Sequence, residues 1–128
     1  MFRRLQRANR GVRAFFRQAS LHKHEIHLSA ITVGELRRGV ERLRRRGDAV
    51  QAATIESWLK GVLREYEENI LPVSKEISEL WGTICAQHPE PALDKLIAAT
   101  AISHGLTIVT RNVRDFEKVG VKLINPFD

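Results

Sequence analysis

The chain has 128 residues, of which 43% are hydrophobic and 28% charged, the balance of one soluble globule rather than a disordered polyelectrolyte. Lys and Arg outnumber Asp and Glu by 21 to 15, giving +6 and a pI near 10.1, so a polyanion such as nucleic acid is the natural partner class. No apolar run reaches the roughly 20 residues of a membrane span. The start at Met1 carries basic residues without the apolar core of a secretory signal, and a lone Cys85 excludes an internal disulfide; a single domain over residues 1–128 in the cytoplasm is expected.

Hydrophobic spacing sets the expected elements in chain order. Asn9 to His22 reads as a helix, with Val12, Phe15, Phe16 and Ala19 on one face. Ile26 to Ser29 reads as a short buried strand. Ala30 to Leu43 is helical, with Ile31, Leu36, Val40 and Leu43 inward. After the polar break at Arg44 to Asp48, Asp48 is placed to cap a helix from Ala49 to Glu68. The stripe of that helix is Ala52, Ile55, Trp58, Leu59, Val62, Leu63 and Tyr66. Ile70 to Val73 is a strand ended by Pro72. Ser74 caps a helix to Gln87, and Cys85 fills space on it. Pro91 suits the first turn of a helix from Ala92 to His104, which Gly105 stops. Thr107 to Thr110 is a strand, Asp115 to Val119 a single turn, and Val121 to Ile124 a last strand. Alternating strands and helices predict an α/β fold with a mostly parallel sheet.

The segment from Ala92 to Phe116 is the most informative. Helix, glycine stop, strand and polar turn follow one another, with Asp94 at the helix start and Asn112 and Asp115 just past the strand. This spacing can bring the three to one edge of a parallel sheet. Glu35 follows the strand at 26–29 by one helical turn and can point into the same crevice. Each residue also has a purely structural reading. Thr32 and Glu35 have capping-box spacing, Asp94 complements a helix dipole, and Asn112 and Asp115 suit a turn. Two carboxylates about 4 Å apart repel by roughly 4 kcal/mol at an effective dielectric near 20, so gathered acids imply a cation or a proton. Oxygen ligands without a cysteine cluster favour Mg²⁺ or Mn²⁺ over zinc.

Six arginines fall between Arg37 and Arg46. Arg38, Arg42 and Arg45 share a helix face by their spacing, which is either a solvated face or a phosphate-binding one. Arg37 and Arg38 follow closely on Glu35, and Arg111 precedes Asn112, so these three are the expected phosphate contacts. His22, His24 and His27 form a polar turn rather than a metal site, and His104 gains from a helix C-terminus.

These residues resemble the PIN-domain ribonucleases, in particular the VapC/FitB-type toxins of toxin–antitoxin pairs. Leu28 to Gly39 looks like the second family motif with Glu35 as its acid. Asp94 to Ala101 looks like the third, with Asp94 as metal ligand, and Thr110 to Phe116 looks like the fourth, where Asn112 stands at the usual acid and Asp115 lies close by. Asn125 to Phe127 resembles the FitB-like branch. The resemblance implies a PIN-like parallel sheet flanked by helices and a Mg²⁺-dependent endoribonuclease, with Mn²⁺ possible. Its catalytic residues would be Glu35, Asp94, Asn112 and Asp115, with Glu35 and Asp94 holding the metal. It also implies an RNA substrate, a cognate antitoxin and a homodimer, the groove near Trp58, Leu59 and Val62 serving antitoxin or dimer. One departure is plain. The family opens with a buried strand ending in Asp-Thr-Asn, and here no Asp precedes Asp48. The first strand and its acid are expected to be missing, through a start upstream of Met1, a decayed gene, or a gap that a neighbour fills by swapping a strand or helix. The alternative function is a catalytically inactive PIN-like module that binds antitoxin or RNA.

Overall fold

The computed structural model describes residues 26–110 and 113–125. Strand β1 (Leu28–Ser29) runs directly into helix α1 (Ala30–Arg45). Helix α2 (Ala49–Glu65), strand β2 (Ile70–Leu71) and helix α3 (Lys75–Gln87) follow. Helix α4 (Ala92–Ser103) leads to strand β3 (Ile108–Val109), two 3₁₀ turns (Val113–Asp115 and Glu117–Val119) and strand β4 (Leu123–Ile124). The expected helix at 9–22, the N-terminal stretch that bears on the expected lack of a first strand, and His22 and His24 all lie outside the described residues.

Both described ladders are parallel, in keeping with an α/β fold. In the first, Leu28 pairs with Ile70 and Ser29 with Leu71. In the second, Ile108 pairs with Leu123 and Val109 with Ile124. The first connection carries helices α1 and α2 and the second two 3₁₀ turns, each long enough to join parallel strands.

Local chemistry explains where the elements start and stop. The Ser29 side chain accepts a hydrogen bond from the Ile31 amide at 3.0 Å and caps α1. Ser74 accepts from the Ile77 amide at 3.2 Å and caps α3, as its sequence position predicts. Gly105, at φ 64°, ends the turn after α4, a left-handed geometry that suits glycine. Two expectations are corrected. Asp48 stands at the N-cap position of α2 but its carboxylate makes no capping bond. The same helix stops at Glu65 instead of Glu68 and passes into a 3₁₀ turn at Glu67–Asn69. Acids at 65, 67 and 68 oppose the negative C-terminal end of a helix dipole, and the Asn69 amide donates to the Ile26 carbonyl at 3.0 Å. That bond draws the chain back alongside β1.

Among the described residues, two apolar clusters hold the fold together. In the first, Ile97, Ala98 and Ala101 of α4 pack with Ile108 of β3 and Phe116, all fully buried, and Ile31, Leu106, Val119, Val121 and Leu123 close over them. In the second, Val40 of α1 meets Ala52 and Leu59 of α2, flanked by Leu36, Leu43, Ile55, Trp58 and Leu63. Leu59 is 0% exposed. It belongs to the core of the α1–α2 hairpin, and this corrects its expected place on a docking groove. No helix among the described residues is long and apolar enough to cross a membrane.

Candidate active site

Helix α4 is the least polar of the described helices, and most of it is covered. Its first turn nevertheless carries Asp94, 1% exposed, and Lys95, 4% exposed. A buried carboxylate is costly unless its surroundings compensate it. A helix N-terminus offers part of that compensation. The Oδ1 atom of Asp94 is enclosed and accepts no hydrogen bond from the described residues, although the residue has other interactions. The base of this turn is fixed from outside, because the Trp81 indole N–H of α3 donates to the Ala92 carbonyl at 2.9 Å.

Lys95 joins this turn to the segment after β3. Its Nζ donates to the Asp115 carbonyl at 2.7 Å and reaches the Glu90 carbonyl at 3.4 Å. The 3₁₀ turn that carries Asp115 is therefore tied to the helix start that carries Asp94. The sequence shows Lys95 beside Asp94, but nothing in the spacing marks it as a clamp. Its burial is the signal, and burial is a tertiary property. Asp115 itself is half-buried. Asn112 and Arg111, the other expected residues of this turn, lie outside the described residues.

Glu35 reaches the region by another route. With Ser29 as N-cap, it is the sixth residue of α1, so the capping-box reading, which needs the third position, is removed. Thr32, the supposed cap of that box, is fully buried inside the helix. Ile31, one turn before Glu35, packs against the cluster of Ile97, Ala98, Ala101, Ile108 and Phe116. Asp94 lies one turn before Ile97 and Ala98 on α4, and α1 contacts α4 directly. The two acids thus flank the same apolar cluster from two helices.

The arginines of α1 divide by face. Arg37 Nη1 donates to Glu56, and to Glu41 at 3.2 Å; Arg44 donates to Glu41 at 2.7 Å and to Glu56 at 3.0 Å. This four-residue network joins α1 to α2. The hydrogen bond from Arg37 is the chief cause that holds the Glu56 carboxyl below its ordinary range, and the one from Arg44 does the same for Glu41. Bonding to these carboxylates raises both guanidinium pKa values, Glu56 acting first on Arg37 and Glu41 first on Arg44. The expected RNA contact at Arg37 meets a physical obstacle here, since its guanidinium is engaged in the α1–α2 clasp. Arg38 lies on another face and is exposed.

Among the described residues, no three His, Cys, Asp or Glu side chains gather as a metal-holding group. Mg²⁺ does not demand such a group, because it commonly keeps several waters and takes one or two protein carboxylates together with substrate phosphate. A buried Asp at a helix start and a Glu on the adjoining helix are donors of that kind.

Comparison with known proteins agrees with this architecture. The family model described as PIN domain matches residues 5–122. The chain is 34% identical over 110 residues to a VapC ribonuclease, Y4jK, of Sinorhizobium fredii, covering 80% of this chain and 76% of that protein. It is 33% identical over 113 residues to Toxin FitB of Neisseria gonorrhoeae, covering 84% and 80%. The crystal structure of FitAcB from the same organism superposes with a TM-score of 0.79 at 30% identity, over 95% of this chain and 88% of that one. The chain belongs to the PIN domain family.

Proposed function

We propose that this chain is the ribonuclease toxin of a type II toxin–antitoxin pair, an endonuclease that cuts RNA phosphodiester bonds with a divalent cation, Mg²⁺ or in its place Mn²⁺. The observation that carries the reading is the Asp94 carboxylate, 1% exposed in the first turn of a largely buried helix, in a PIN-domain chain similar to a ribonuclease and a toxin. Core packing does not require an acid there.

Asp94 and Glu35 are the residues that would hold the cation. When bound, it would stabilise charge on the phosphate and favour attack by water. The rest falls to the chain. Asp115, with Asn112, completes the polar edge and orients what enters it. Lys95 fixes the turn bearing Asp115 against the Asp94 helix start. Arg38 and Arg111 would draw the phosphate in, while Arg37 is held in its ion-pair network. The partners in this reading are RNA, a neutralising antitoxin and a second copy of the chain, in the cytoplasm. A second reading, favoured by the lack of any Asp before Asp48, is an inactive module that binds RNA or antitoxin without cutting.

The test is RNA cleavage by the purified chain with and without Mg²⁺, alongside Mn²⁺ binding by electron paramagnetic resonance. Cleavage that requires the metal, and that disappears together with Mn²⁺ binding in Asp94→Asn and Glu35→Gln, supports the nuclease. Undiminished cleavage by Asp94→Asn would sink the assignment of this site. RNA binding without any cleavage by the unaltered chain would establish the second reading.

A further inference from the structure

Helix α1 carries three separate stripes. Leu36, Val40 and Leu43 face α2. Arg37, Glu41 and Arg44 form the ion-paired stripe with Glu56. Arg38, Arg42 and Arg45 form the third, and all three are exposed. Among the described residues no carboxylate pairs with any of them, although Glu41 and Glu56 lie on or beside the same helix and satisfy the other two arginines.

The third stripe continues the one that bears Glu35. Positions 35, 38, 42 and 45 are separated by three, four and three residues, the spacing of one helical face. Along it the environment grades from half-buried at Glu35 to exposed at Arg38, Arg42 and Arg45. At about 1.5 Å rise per residue, the arginines span about 10 Å, beginning about 5 Å from Glu35 along the axis. A row of that length offers charge to successive phosphates rather than to one.

We propose that Arg38, Arg42 and Arg45 form a track for the RNA backbone that leads the strand to the Glu35 end of the candidate active site. The proposal rests on the nuclease reading and deepens it by assigning where the substrate lies beyond the cut bond. Charge complementarity selects a polyanion, and continuity with the Glu35 face selects the substrate over other polyanions. The contacts are to phosphate, so the track carries no base preference. Aromatic side chains make up only 6% of the chain, which agrees with backbone contact rather than base stacking.

For single strands, each phosphate contact contributes about −0.7 to the slope of log K against log salt. Between about 1 M and 0.1 M salt that is about fivefold in affinity per arginine, and about a hundredfold for three. The probe is a fluorescein-labelled single-stranded RNA of mixed sequence, titrated by anisotropy in EDTA so that nothing is cut. Expected for Arg38→Gln/Arg42→Gln/Arg45→Gln are an affinity about a hundredfold weaker at 0.1 M salt and a slope shallower by about 2. The charge-matched control Lys75→Gln/Lys118→Gln/Lys122→Gln is expected to keep the slope of the unaltered chain. Equal losses in both triples would reduce the effect to net charge and overturn the track. So would a triple that binds RNA normally but no longer binds polyglutamate, which would assign the row to an acidic protein partner. If the triple does not fold, Arg42→Gln alone still reads a slope change of about 0.7. A chain that binds RNA through the row and never cuts it with Mg²⁺ supports the track while the nuclease reading fails; a chain that binds no RNA overturns the track itself.

Discussion

Lys95→Met isolates the clamp between the two halves of the candidate site. Methionine follows much the same path as the lysine stem and leaves little cavity, so the change chiefly removes the ammonium. That group donates to the Asp115 carbonyl at 2.7 Å and to the Glu90 carbonyl at 3.4 Å, from a residue 4% exposed. The longer contact is marginal. A hydrogen bond from a charged donor contributes about 1.5–3 kcal/mol net, while relief from burying the charge offsets a part of it. The balance is a loss of about 2 kcal/mol. For 128 residues, an unfolding entropy of about 2.1 cal/mol/K per residue gives about 0.27 kcal/mol/K, so Tm falls by about 7 °C. Thermal unfolding followed by circular dichroism measures this. Amide exchange adds a local readout, because the 113–119 segment should lose protection more than α2 does. A Tm within about 1 °C of the unaltered chain, with unchanged exchange at 113–119, would refute the clamp.

Two further perturbations test the packing and the ion-pair network. Phe116→Ala empties a fully buried position in the cluster beneath α4 and should cost about 3–5 kcal/mol in urea unfolding, a large share of the roughly 5–15 kcal/mol available to a domain; a cost under about 1 kcal/mol would mean that this cluster is not core. Glu56→Gln tests the α1–α2 clasp by its pH dependence. The hydrogen bond from Arg37 lowers the Glu56 pKa in the folded chain, so its stabilising effect is complete above the unfolded carboxylate range and disappears as pH falls through the lower folded value. The Tm gap between the unaltered chain and Glu56→Gln should therefore be present at pH 7 and close below about pH 4. A gap that stays constant over that interval would remove the electrostatic account.

Periodicity placed the described helices well. The apolar spacing of 31, 36, 40 and 43 found α1, and the serines at 29 and 74 stand where helices begin. Glycine marked the end of α4 through its φ of 64°. The errors arise where distant segments intervene. The apolar stripe of α2 continued toward residue 68, but dipole repulsion and the Asn69 bond to Ile26 ended the helix at Glu65. Trp58, Leu59 and Val62 share a stripe whichever way it faces, and only packing against Val40 shows that Leu59 is interior.

The amino-acid order by itself determined the alternation of strand and helix and the acids at 35, 94 and 115, because these depend on near neighbours and on recurrence at two, three and four residues. Tertiary structure decided how those residues are used. It buried Asp94, removed the capping-box role of Glu35, and joined Lys95 to the Asp115 turn across twenty residues. It also divided the arginines of α1 into an ion-paired group and an exposed row. Spacing fixes which side chains share a helix face, but burial and charge pairing depend on what a distant segment places opposite that face.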